Sequence, residues 1–123
     1  VKSNHIEKIS VECLSPEDLL KKYEINNLDL VYIDAEGYDG DIVISFLDYI
    51  DFQPIIIFEF IHIEYDIFLR LIKKLDEKKY NYFGIDENLI CFPKEDIFYE
   101  SIHLKYSKNL SKSISLSTLS KNS

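Results

Sequence analysis

Two short apolar runs, Leu28–Ile33 and Ile55–Phe58, each lead into a stretch whose apolar residues recur at helical spacing. This alternation constrains the fold more than any other feature, because a buried strand needs helices beside it and an amphipathic helix needs a sheet beneath it. After Leu28–Ile33 the pattern breaks at Asp34 and Gly37. From about Asp39, Ile42, Val43, Phe46, Leu47 and Ile50 then share one helical face. Gln53-Pro54 ends that segment. Ile55–Phe58 is apolar on both faces, which predicts a central parallel strand buried by helices. The next helix is predicted from roughly Glu64 to Lys78, with Tyr65, Phe68, Leu69, Ile72 and Leu75 inward and Asp66, Arg70, Lys73, Lys74 and Glu77 outward. Tyr80–Ile85 and Leu89–Phe92, separated by Asp86-Glu87-Asn88, suit a hairpin.

Upstream, Ser15-Pro16-Glu17-Asp18 marks a helix start: Ser15 can cap, Pro16 is tolerated at the first helical position, and the acids meet the positive end of the helix dipole. That helix runs through Tyr23 and stops near Asn26-Asn27. Before it, Ile6–Cys13 alternates loosely and is predicted as a short strand. The order predicts an α/β layered sheet with right-handed crossovers, in which a terminal hairpin adds an antiparallel strand to parallel ones.

The 123 residues, 46% hydrophobic, are enough for one domain with its own core. That domain is expected over residues 1–105, with the Ser- and Lys-rich stretch 106–123 disordered. No apolar run is long enough to span a membrane, and the polar start Val1–His5 carries no secretory signal. The absence of an initiator Met suggests a segment of a longer chain. A net charge of -8 argues against nucleic-acid binding, which needs clustered Lys and Arg. Cys13 and Cys91 lack the spacing of zinc ligands and read as buried, reduced thiols of a cytosolic protein.

In open α/β sheets ligands bind beyond the carboxyl ends of the strands, and here two such ends are acidic. Asp34-Ala35-Glu36-Gly37-Tyr38 follows the first buried strand; Glu59 ends the second, with His62 three residues on. If the strands are neighbours, Asp34, Glu36, Glu59 and His62 gather around one crevice, where they could act as a base toward a hydroxyl or hold a cationic group. Tyr38 could line a substrate pocket or cover the sheet edge. Purely structural roles compete: Asp34 or Glu36 could cap the helix near Asp39, Glu59 could accept loop amides, and His62 could be a partly buried structural histidine. His5 and His103 stand in no cluster.

The stretch Leu30-Val31-Tyr32-Ile33-Asp34-Ala35-Glu36-Gly37-Tyr38 resembles the FkbM-type methyltransferase pattern of an apolar strand followed by Asp, any residue, Glu and Gly. Ser15–Leu20 resembles the family's Thr-Leu-Asp-Asp-Leu segment, Pro54–Glu59 its next strand ending in Glu, and Asn88–Pro93 its hairpin strand. The resemblance spans roughly residues 8 to 95. It implies the C-terminal half, strands four to seven, of a class I (Rossmann-like) sheet. It further implies methyl transfer from S-adenosylmethionine to an oxygen of a sugar, glycan, lipid or polyketide-like acceptor. Asp34 and Glu36 would lie beside the cofactor's sulfonium end and the acceptor, with Glu59 nearby. Departures are equally plain. The only glycines are Gly37, Gly40 and Gly84, so the Gly-rich cofactor loop is missing, and so is the strand-end acid that would hold the ribose. Asp39-Gly40 is also less usual at the helix start. The chain alone is therefore expected to bind cofactor poorly and to catalyse nothing.

Two other readings compete. Asp34 followed by Asp39-Gly40 echoes a phosphoacceptor receiver domain, but only thirty-three residues precede Asp34 and no Lys follows the Ile55–Phe58 strand. Alternatively, a half-sheet without its first strands leaves an apolar edge open and self-associates as a non-catalytic module.

Overall fold

The computed structural model describes residues 5–96. Its elements are α1 (Pro16–Lys22), β1 (Leu30–Ile33), α2 (Asp39–Tyr49), β2 (Ile55–Glu59), α3 (Tyr65–Glu77), β3 (Tyr80–Ile85) and β4 (Asn88–Pro93). The strands form one four-stranded sheet in the order β1-β2-β4-β3. β1 and β2 pair in parallel, from Leu30 opposite Ile55 to Ile33 opposite Phe58. β4 is antiparallel to both β2 and β3. Three strands therefore share a direction, and the last strand of the hairpin enters between two of them reversed.

Local chemistry sets the boundaries. The Asp18 N–H donates to Ser15 Oγ at 3.1 Å, and Pro16 opens α1; such a cap is worth about 1 kcal/mol. The hairpin closes through a two-residue turn in which Asp86 takes a φ of 52°, a left-handed conformation that Asp adopts more readily than most residues. The Phe60 N–H donates to the Glu87 carbonyl at 3.0 Å, tying this turn to the exit of β2.

The main core lies between the sheet and the helices. Val43 and Leu47 of α2 and Leu71 and Leu75 of α3 pack with Ile56 and Phe58 of β2, Tyr80 and Leu89, all essentially without exposure. Burying each such aliphatic or Phe side chain contributes about 1.5–3 kcal/mol. The Tyr80 hydroxyl donates to the buried Pro54 carbonyl at 2.8 Å, locking β3 to the entry of β2. The expectation that helices cover β2 on both faces needs correction. Ile56 and Phe58 face the helical layer, whereas Ile55 and Ile57 pack on Phe83, Ile90 and Phe92, a second cluster built from strand residues alone. The Phe83 and Phe92 rings stack there with centroids 6.0 Å apart.

Helix α2 meets α3 and the loop before it closely at Gly40: a Cβ placed there would sit 2.8 Å from Ile67 Cγ2 on α3 and 3.0 Å from Ile63 Cγ2 in that loop. On α3 the predicted face is turned by part of a residue step. Leu71 is fully buried while Leu69 is 48% exposed, because the stripe that meets the sheet runs Phe68, Leu71, Leu75 and leaves Leu69 on its flank.

Ile6–Cys13 does not form the predicted strand. Ile6, Ile9 and Val11 are 90%, 78% and 76% exposed, and no described strand lies beside them. Alternation without a hydrogen-bonding neighbour does not make a strand. Cys13 is accordingly exposed rather than buried, while Cys91 lies buried in β4, and both are free. The expected disordered stretch 106–123 lies outside the described residues. Among the described residues no helix is long and apolar enough to cross a membrane.

Candidate functional site

Because β1 and β2 are parallel, their carboxyl ends open onto the same edge of the sheet. Ile33 pairs with Phe58, so Asp34 and Glu59 follow side by side as the strands end. β4 begins at this edge, with Asn88 opposite Glu59.

Beyond β1 the chain turns sharply. Glu36 and Gly37 have φ values of 49° and 99°, and the Tyr38 N–H donates back to the Ala35 carbonyl at 3.1 Å. Two consecutive positive φ values suit a primed turn, for which glycine is the natural second residue. Gly37 also brings the two loops together: a Cβ there would lie 3.6 Å from the His62 carbonyl oxygen and 3.9 Å from its Cβ. Across the loop, His62 Nε2 lies 3.2 Å from Glu59 Oε1. The four residues singled out from sequence, Asp34, Glu36, Glu59 and His62, are thus carried by the last residue of β2 and the two adjoining loops.

The arrangement is open rather than an enclosed crevice. Asp34, Glu36 and His62 are exposed, Tyr38 is 71% exposed, and Glu59 is half-buried. Tyr38 projects into solvent instead of covering the sheet edge. Neither Asp34 nor Glu36 caps α2; its N-cap residue is Tyr38, which makes no side-chain cap. Glu59 is paired with His62, which can steady an imidazolium as it takes up a proton. Exposed carboxylates at this edge can accept hydrogen bonds from a hydroxyl or face a cation. Among the described residues no group of three or more His, Cys, Asp or Glu side chains is disposed to hold a metal ion.

One residue of the site escaped the sequence reading. Asp39, which the sequence marks as a helix start and as half of the receiver-like Asp39-Gly40 pair, is 1% exposed. Its Oδ2 accepts the N–H groups of Ala35 at 3.3 Å and Gly37 at 3.2 Å, and its Oδ1 is buried with no partner among the described residues. The signal was present in principle: a turn that ends a strand exposes N–H groups needing acceptors, and an acid in the next helical turn can supply one.

A separate, shallow apolar groove runs along the free side of β1, lined by Leu14, Leu19, Leu28, Val31 and Tyr32 among others. Comparison with protein-family models, with characterised proteins and with solved structures returned no match.

Proposed function

We propose that residues 1–105 are the C-terminal half of an FkbM-type methyltransferase domain, transferring a methyl group from S-adenosylmethionine to a hydroxyl oxygen of a sugar, glycan, lipid or polyketide-like acceptor. The observation that carries this reading is the Asp34–Tyr38 turn at the carboxyl end of β1, set beside the Glu59 end of the neighbouring parallel strand. The reversed β4 within the sheet supports it at the level of fold, since a terminal antiparallel hairpin is what this end of a class I sheet is expected to carry. Asp34 lies just past the end of β1 and Glu59 is the last residue of β2, so both stand at the carboxyl edge, where such sheets take their ligands.

The cofactor would supply an electrophilic methyl group on a cationic sulfur. Asp34 and Glu36 are the residues that would face that charge, and solvent-accessible carboxylates fit it. The acceptor hydroxyl would lose its proton as its oxygen took the methyl group, with the carbon–sulfur bond breaking to leave a neutral thioether. His62, with Glu59 against its Nε2, is the group placed to receive that proton, and Tyr38 would pack against the acceptor. The two free thiols fit a reducing, cytosolic setting.

The test uses the polypeptide extended upstream of Val1 to include a Gly-rich loop, compared with residues 1–123. Calorimetry should show saturable S-adenosylmethionine binding by the longer polypeptide and none by the shorter one. Glu36→Gln and Asp34→Asn should weaken binding or turnover at least about tenfold, the scale of a lost charge-assisted contact. A coding sequence that offers no such upstream loop would sink the reading.

A second reading, a non-catalytic interaction module, is favoured by one observation. Among the described residues β1 pairs with β2 alone, and Leu30 and Tyr32 on it are 53% and 63% exposed beside the apolar groove. An open apolar edge invites pairing with a second copy. Sedimentation velocity decides: self-association abolished by Tyr32→Lys supports this reading, and a monomer at all concentrations rejects it.

A further inference from the structure

The structure assigns Asp39 a positioning role: its buried carboxylate holds the Asp34–Tyr38 turn in the shape that presents Asp34 and Glu36 at the carboxyl edge. This deepens the methyltransferase reading and rests on it for the purpose of the turn, but the clamp stands on geometry alone. Three observations converge on it. Asp39 is a charged side chain 1% exposed, a costly placement that the hydrogen bonds to Oδ2 offset in part, Oδ1 having no partner among the described residues. Its partners are the backbone N–H groups of Ala35 and Gly37, two residues of the turn itself, both acting on the one oxygen Oδ2. Between them, Glu36 adopts a φ of 49°, a left-handed conformation that is unfavourable for a residue with a side chain unless its surroundings enforce it.

The three fit one mechanism. Drawing the Ala35 and Gly37 N–H groups inward onto a single oxygen leaves Glu36 on the outside of the bend, where it is exposed. Gly37, held in the same bend, packs against the His62 backbone and so ties the turn to the loop carrying the Glu59–His62 pair. Asp39 is anchored in turn by α2, whose adjoining Gly40 lets that helix start close against α3. The carboxylate thus joins the start of α2 to the turn at the carboxyl edge. Asp39 does not itself reach solvent, so it acts through the turn and not on a substrate.

The test is amide hydrogen exchange on the full 123-residue chain by NMR, with no cofactor present, so its outcome is independent of whether methyl transfer is correct. In the unaltered protein the Ala35 and Gly37 amides should exchange at least about tenfold more slowly than that of Glu36 between them, as local hydrogen bonds protect. Asp39→Ala should remove that protection, and Asp39→Asn, whose amide oxygen still accepts, should restore most of it. Ile44→Val, a core change on the same helix away from the turn, should leave both amides as they were. Ala35 and Gly37 amides that exchange as freely as Glu36 in the unaltered protein would overturn the proposal without any variant. Equal loss of protection in Asp39→Ala and Ile44→Val would overturn it too, reducing Asp39 to a contributor to overall stability.

Discussion

Replacing Gly40 by alanine sets two effects of opposite sign against each other. A helix gains up to about 1 kcal/mol when glycine becomes alanine, less in the first turn than in the interior. Against this, the new Cβ would lie 2.8 Å from Ile67 Cγ2 and 3.0 Å from Ile63 Cγ2, well inside the ~3.5–4.0 Å of an ordinary carbon contact. Both obstructing atoms are branches at Cβ and cannot swing aside, because β-branched side chains are stiff at χ1. Helix α3 must shift, and overpacking of this kind costs about 1–3 kcal/mol. The clash therefore wins, with a net loss of about 1–2 kcal/mol. Urea unfolding followed by circular dichroism should show a midpoint lowered by roughly 0.3–2 M at unchanged slope, for a slope of about 1–3 kcal/mol per M. A double-mutant cycle locates the cause. Ile67→Leu removes Cγ2 and should recover part of the loss, whereas Ile67→Val keeps the branch and should recover none. A Gly40→Ala protein more stable than the parent, with no coupling to Ile67→Leu, would refute the close approach of α2 and α3.

Other expectations follow from the core and the thiols. Tyr80→Phe leaves the buried Pro54 carbonyl without its 2.8 Å donor and should lower stability by about 1–3 kcal/mol, measurable as a lower thermal midpoint. Burial, helped by the charge of Asp76, pushes the Tyr82 hydroxyl up to about 12, and burial also raises Tyr80 and Cys91 well above their ordinary values. The folded state then holds protons that the unfolded chain releases near pH 9–10, so stability present below that range should fall as pH climbs toward 12; urea midpoints across alkaline pH check the sign. A thiol reagent at neutral pH should label Cys13 at once and Cys91 only as fast as the protein unfolds, because Cys13 is exposed and Cys91 buried.

Much of the architecture could be read from residue spacing because burial and periodicity coincide in it. The Ser15-Pro16 start of α1, the apolar run of β2 and the hairpin each carry a local signal that tertiary packing reinforces. Reading failed where the decision was not local. Ile6–Cys13 has strand-like alternation, yet pairing depends on a neighbour that the segment cannot specify. Leu69 and Leu71 lie on nearly opposite sides of α3, flanking Phe68 and Leu75, and only the seat of the helix on the sheet decides which flank is buried. At the site, strand-end acids were legible because sheets present ligands there, and the parallel pairing of β1 with β2 brought Asp34 and Glu59 to one edge. Asp39 was not legible, since its role comes from turning back onto two amides of the preceding loop.

The claim that the carboxyl edge is the reaction face is tested most directly by titrating S-adenosylhomocysteine into the polypeptide extended upstream of Val1 and mapping amide shift changes by NMR. Changes within this chain should concentrate on Asp34–Tyr38 and on Glu59–His62, and should spare the opposite edge, where Gln53 Nε2 donates to the Lys78 carbonyl. Changes centred on that opposite edge, or on the groove along β1 with the Asp34–Tyr38 turn unmoved, would contradict it.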